Sequence, residues 1–302
     1  MLLRPPFLKK GDSVYILSTA RKISHEEISM AVNTYEQWGL KVIIGDTIGA
    51  QDHQYAGTDL FRLQDFQKAA DDPNIKAIIC ARGGYGTVRM MDDINYDEFM
   101  KSPKWVVGFS DVTYLHTHIS NNIGIQCIHS IMPVQFPKST PEAIETLRRE
   151  LFGEPNDYVV AAHPLNRQGS VEGILIGGNL SILYSITGTR SGINTFGKIL
   201  FIEDIDEYCY HIDRMMINLK RSGKLNNLAG VIVGGFSEIK DNTIPFGKNA
   251  YEIIAEHVAE FDYPVCFGFP AGHIADSRAL GIGKIYRLEV GPASVSVNSK
   301  LL

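Results

Sequence analysis

Short apolar runs alternate with amphipathic stretches through the first half of the chain. The run Ser13–Leu17 reads as a strand. Ser24 and Glu27 have the spacing of a capping box, and Ile28, Ala31, Val32 and Tyr35 recur at helical period, so a helix follows and ends at Gly39. Lys41–Ile44 reads as the next strand. Asp59–Ala70 is helical and closes at Asp72-Pro73. Then come strand Lys76–Cys80, loop Ala81–Gly86, a helix from Thr87, and strand Trp105–Phe109 running into a helix at Ser110–Ser120. Gly124–Ile128 is a further strand. Thr140 caps a helix that has Pro141 first and Gly153 just past its end. Strand and helix in series imply a parallel sheet covered on both faces.

The pattern changes after Gly153. Residues 154–169 are polar and contain prolines, and they read as a link between an N-terminal domain (1–153) and a C-terminal one (170–302). Beyond the link, Ser170–Ile176, Lys198–Ile202, Gly230–Gly234 and Pro264–Phe267 read as strands, with helices from Asn179, Tyr208 and Tyr251 between them. Ile285–Val290 and Ser294–Val297 alternate like an antiparallel edge hairpin.

Composition narrows the class. With 302 residues, 44% of them hydrophobic, the chain can bury one large or two ordinary cores. A net charge of -5 without a long Lys/Arg run argues against a nucleic-acid partner. The opening MLLRPPFLKKGD is too short and interrupted for a signal peptide, and no apolar run of about 18 residues follows. The chain therefore reads as a cytoplasmic protein with no membrane partner. Cys80, Cys127, Cys209 and Cys266 form no Cys-x-x-Cys, and buried thiols are expected of them rather than disulfides or a zinc site.

The sharpest local signal is Trp105-Val-Val-Gly-Phe-Ser-Asp-Val. An apolar strand runs into Gly-x-Ser and a helix begins at once, which lifts the Ser110 hydroxyl above the strand end. The N–H of Asp111 then points at the same spot, where an oxyanion needs donors. An elbow of this kind ordinarily has Gly two residues after Ser, and here Val112 stands there. Ser110 therefore reads either as a nucleophile or as a helix cap through Val112 or Thr113. A second loop, Arg82-Gly83-Gly84-Tyr85-Gly86, also follows a strand. It fits an oxyanion donor, a phosphate cradle or simply a turn with positive φ.

A nucleophilic serine needs a base. Of nine histidines, His129 and His273 stand at apparent strand ends, where α/β active sites gather. His116 and His118 lie two apart on one helix and make no metal pair. The base in turn needs an orienting carboxylate. Glu203, at the end of the apolar run Lys198–Ile202, is the candidate, because a carboxylate there must be paired to offset its desolvation. An acidic solvated loop and a hard-cation site are the other readings of Glu203, Asp204, Asp206 and Glu207.

With these residues laid out, the chain resembles the LD-carboxypeptidases, among them murein tetrapeptide carboxypeptidase and the microcin-C-resistance peptidases. The resemblance rests on Ala56-Gly57-Thr58-Asp59 with Arg62, Asp72-Pro73, Arg82-Gly83-Gly84-Tyr85-Gly86, Gly108-Phe109-Ser110-Asp111, Gly177-Gly178-Asn179-Leu180, Glu203-Asp204 and Gly272-His273. It departs at Ser18-Thr19-Ala20, where family members often read Ala-Pro-Ser. The fold implied is α/β: an N-terminal parallel-sheet, Rossmann/flavodoxin-like domain with a Ser nucleophile elbow, and a smaller C-terminal mixed α/β domain. The resemblance implies a Ser110, His273, Glu203 triad drawn from both domains. It further implies an oxyanion hole at the N–H groups of Asp111 and Gly84, with no cofactor and no metal. The substrate implied is a small peptide, a murein tetrapeptide that loses its terminal D-Ala, and the expected assembly is a homodimer. Arg82, Gly83 and Tyr85 are the candidates for substrate binding, with Arg82 for the free carboxylate. A peptidase acting on peptidyl-nucleotide antibiotics and a nucleotide-binding module using residues 81–87 are the alternatives.

Overall fold

The computed structural model describes residues 2–299, which form two compact units. Of these, the first comprises residues 2–154 with Ala275–Gly281, and the second Pro155–Ile274 with residues 282–299.

In the first unit the strands are β1 (Ser13–Leu17), β2 (Lys41–Ile44), β3 (Ile75–Cys80), β4 (Trp105–Gly108) and β5 (Cys127–His129). The helices are α1 (Ser29–Gln37), α2 (Asp59–Asp71), α3 (Asp97–Lys101), α4 (Thr113–His118) and α5 (Pro141–Phe152). β1 pairs in parallel with β2 and β3, β3 with β4, and β4 with β5. A short strand, β11 (Leu280–Ile282), completes a six-stranded sheet in the order β11-β5-β4-β3-β1-β2. Val14, Ile16, Ala77, Ile79, Trp105 and Val107 pack from the sheet against Tyr35, Phe136 and Leu147. Each such aliphatic side chain contributes about 1.5–3 kcal/mol by leaving water. Thr58 caps α2 and Thr140 caps α5, their hydroxyls accepting the N–H groups of Phe61 and Ala143 at 3.2 Å in both cases.

Local signals and structure part at three places. The Ser24/Glu27 box forms, with Ser24 N–H donating to Glu27 Oε2 at 2.8 Å, but it closes a turn ahead of α1. No helix grows from Thr87; two short 3-10 turns, Thr87–Arg89 and Met91–Asp93, stand there. Thr87 is committed elsewhere, its N–H to Asp111 Oδ2 at 2.9 Å and its hydroxyl to Thr19 Oγ1 at 2.7 Å. The helix after Ser110 opens as a 3-10 turn and closes in a wider π turn, Ile119–Ile123.

The second unit holds β6 (Asp157–Ala161), β7 (Gly169–Asn179), β8 (Ile199–Ile205), β9 (Gly230–Ser237), β10 (Val265–Phe267), β12 (Ile285–Val290) and β13 (Ser294–Ser299), with α6 (Leu180–Ser185), α7 (Cys209–Arg221) and α8 (Ala250–Val258). The sheet order is β10-β9-β8-β7-β12-β13-β6. It is parallel from β10 to β7 and antiparallel from β7 to β6. The stretch 154–169, read above as a link, carries β6. That strand pairs with β13, so the hairpin of β12 and β13 lies inside the sheet rather than at its edge. Asn179, at the end of β7, caps α6 by accepting the Ile182 N–H.

Candidate active site

In the first unit β4 delivers Ser110. Phe109 is extended and Ser110 turns to φ 61, a conformation rare outside glycine, before the chain enters the 3-10 turn. The Ser110 hydroxyl makes no capping bond to Val112 or Thr113; the Val112 N–H goes to the Phe109 carbonyl at 3.2 Å. The side chain is therefore presented by a bent, strained backbone and left half-buried, with its hydroxyl uncommitted among the described residues. Asp111 is buried, and its carboxylate accepts the Thr87 N–H, which ties the elbow to the loop after β3. Burial pushes the Asp111 carboxyl above its ordinary value, and the hydrogen bonds from Thr87 work against that rise.

The loop 82–86 runs against Ser110. A Cβ built on Gly83 would lie 3.2 Å from Ser110 Oγ, a tight contact, so a side chain there would crowd the hydroxyl. Gly84 follows at φ 110 and is exposed. Buried Arg62 holds the loop from below. It reaches from α2 to the carbonyls of Thr19, Gly57 and Gly86, the last at 2.8 Å, and it pairs with Asp59. Arg82 donates to the Lys22 carbonyl at 3.2 Å, sits 3.5 Å from Glu27, and lines a cavity of about 320 Å³ with both. Tyr85 is 45% exposed, its ring tilted against Tyr55. Arg62 stood in the sequence reading only as a family mark. Its clamp joins residues far apart in sequence, and the one local hint is a cation on the inner face of α2.

In the second unit β8 carries Glu203 two residues before its end at Ile205, and the Glu203 side chain is 0% exposed. Its Oε2 lies 2.7 Å from His273 Nδ1. The backbone fixes both partners. Gly272, at φ 111, lies so close that a Cβ there would come 2.7 Å from Glu203 Oε2, and Ser237 Oγ donates to the His273 carbonyl at 2.9 Å. Burial pushes the His273 imidazole down. The charge and hydrogen bond of Glu203, with the charges of Asp204 and Glu238, more than offset this and set it above the ordinary 6.5. Asp204 turns the other way, accepting from Asn179 Nδ2, the Ser181 N–H and the Ile205 N–H, each at 2.9 Å. Burial, with the neighbouring charge of Glu203, pushes Asp204 up to about 7.

Two other histidine–carboxylate pairs lie in this unit, His211 with Glu207 and His257 with Asp213. In both the carboxylate is part-exposed, at 21% and 28%, whereas Glu203 is fully enclosed. His129, the other candidate base, is buried at the end of β5 with its ring edge-on to Phe109. Burial pushes His116 down to about 4. Among the described residues no helix is long and apolar enough to cross a membrane.

Two family models match the chain, the LD-carboxypeptidase N-terminal domain over residues 14–130 and the LD-carboxypeptidase C-terminal domain over residues 172–288. The "Probable murein peptide carboxypeptidase" of Bacillus subtilis (strain 168) is 35% identical over 93% of this chain and 89% of its own. The crystal structure of muramoyltetrapeptide carboxypeptidase from Oxalobacter formigenes is 25% identical, with a TM-score of 0.87 over 96% of this chain and 99% of the other. The structure of MccF in complex with glutamyl sulfamoyl guanosine shares the fold, at 22% identity and a TM-score of 0.87 over 100% and 99% of the two chains. On these matches, across both of its units, the chain belongs to the LD-carboxypeptidase family.

Proposed function

We propose that the chain is a serine carboxypeptidase that hydrolyses an L,D-peptide bond and releases the terminal D-Ala of a murein tetrapeptide. The observation that carries this reading is the enclosed Glu203–His273 pair, because a buried carboxylate on Nδ1 leaves Nε2 to act as base. In this mechanism neutral His273 takes the Ser110 proton as Oγ attacks the scissile carbonyl. The N–H groups of Asp111 and Gly84 receive the oxyanion, each such donor being worth about 3–4 kcal/mol. The tetrahedral intermediate then collapses, the C–N bond breaks, and His273 returns the proton to the departing D-Ala amine. Water, deprotonated by His273, attacks the ester on Ser110, and the hydroxyl is restored. The reading places this work in the cytoplasm, on peptides recycled from the cell wall, in a homodimer.

The pH dependence follows from the electrostatics. Only neutral His273 is a base, and its pKa is raised, so kcat/KM should decline on its acid side at a pH above the ordinary 6.5. A profile of kcat/KM from pH 5 to 9 checks this; activity that stays flat down to pH 5 counts against His273.

The substrate is tested by offering the wild type L-Ala-D-Glu-meso-diaminopimelate-D-Ala and, separately, aspartyl sulfamoyl adenosine. Release of D-Ala from the first is expected. Cleavage of the second alone would replace murein peptides with peptidyl-nucleotides as substrate.

A further inference from the structure

We propose that Arg21 receives the free C-terminal carboxylate of the peptide substrate, so that this residue, rather than Arg82, makes the site an exopeptidase. The inference rests on the reading above that Ser110 and the loop 82–86 hold the scissile bond. A carboxypeptidase must bind an anion close to that bond. The leaving residue's carboxylate carbon is the third atom beyond the scissile carbonyl carbon, so the two lie within about 4 Å. A cation for it must therefore stand beside the oxyanion donors.

Four arginines surround the loop, and three are committed. Arg62 is buried and spent on backbone carbonyls and Asp59. Arg89 holds both oxygens of Asp59, at 2.6–3.0 Å. Arg82 is drawn to Glu27 and the Lys22 carbonyl. Arg21 is exposed, and among the described residues its guanidinium has no hydrogen bond and no ion pair. Its backbone, by contrast, is pinned. The Arg21 N–H reaches the Gly83 carbonyl at 3.5 Å, Ser18 Oγ donates to the Arg21 carbonyl at 2.6 Å, and the residue bridges to Tyr55.

The stem of Arg21 lies directly on Gly84. A Cβ there would meet Arg21 Cδ at 2.5 Å and Nε at 2.7 Å. Ser110, Gly83, Gly84 and Arg21 therefore follow one another in contact, and the uncommitted cation stands on the residue that offers the oxyanion N–H. A guanidinium suits a carboxylate because its two parallel N–H groups match the two oxygens.

The test is equilibrium binding to folded Ser110→Ala, which removes turnover, with Arg21 intact, Arg21→Ala or Arg21→Lys. The ligands are the tetrapeptide acid and its C-terminal amide. With Arg21 intact, the acid should bind about 10- to 100-fold tighter than the amide, the usual weight of a charge-assisted contact. Arg21→Ala should erase that preference by weakening only the acid, and Arg21→Lys should keep part of it. Equal weakening of acid and amide, or a change below about threefold, would overturn the assignment. The reading of the reaction fails separately. If the wild type releases no D-Ala while the acid preference still depends on Arg21, hydrolysis is refuted and the carboxylate receptor stands. If D-Ala is released with no dependence on Arg21, the inference alone falls.

Discussion

Glu203→Gln is expected to lower kcat about 10³- to 10⁴-fold with little change in KM. The size comes from what Gln does to the ring. Glu203 Oε2 accepts from His273 Nδ1 at 2.7 Å inside a fully enclosed site. A Gln amide can donate to Nδ1 instead, and the tautomer that results carries its proton on Nε2 and is no base. The same exchange removes the two largest influences that raise the His273 pKa and leaves burial, which lowers it. The residual activity should therefore persist to lower pH than in the wild type. Steady-state kinetics of Glu203→Gln across pH 5 to 9 read both effects. A loss below tenfold, or an acid limb that does not move, would remove Glu203 from the mechanism.

The second large effect pairs lost activity with an inverted order of stability. Ser110→Ala and Ser110→Gly should each lower kcat by about 10⁵- to 10⁶-fold, since both delete the nucleophile. At ordinary positions Gly is less stable than Ala by about 0.5–1 kcal/mol. Ser110 stands at φ 61, where a Cβ costs about 1–2 kcal/mol, so Ser110→Gly should here exceed Ser110→Ala by about 0.5–1 kcal/mol. That difference is about 2 °C in the melting temperature of a unit this size, readable by calorimetry. The strain belongs to the elbow, and a protein that keeps serine there gives up stability to present a hydroxyl. A melting temperature lower for Ser110→Gly than for Ser110→Ala would mean the elbow relaxes without cost.

Residues 105–113 were legible because every signal there is local: an apolar strand, a Gly-x-Ser turn and a helix start. That β1 to β5 pair in parallel was legible for the same reason, since strand and helix alternate at short spacing; their order in the sheet was not. The failures share the opposite cause. A helix from Thr87 fits its own sequence, yet only short 3-10 turns form there, and the contacts that seat Thr87, to Asp111 and Thr19, come from distant parts of the chain. β6 has an apolar run of its own, Tyr158-Val159-Val160-Ala161, but it is short and flanked by polar residues and prolines, and its partner β13 lies near the other end of the chain. The return of Ala275–Gly281 to the first unit, where the Thr140 N–H meets the Ala275 carbonyl at 3.0 Å, leaves no mark that periodicity reads. Glu203 and His273 could each be picked because they follow apolar runs, yet their pairing, 70 residues apart, came only from resemblance. Arg21 was not singled out at all. An unpaired surface arginine is ordinary in sequence, and it becomes notable only once Arg62, Arg82 and Arg89 are seen to be engaged.

The measurement that bears most directly on the central claim is a single turnover with enzyme in excess, following D-Ala freed from L-Ala-D-Glu-meso-diaminopimelate-D-Ala by the wild type and by folded Ser110→Ala. The account predicts one equivalent of D-Ala from the wild type and none from the variant on the same timescale. Equal release by both would contradict it and take the nucleophile away from Ser110.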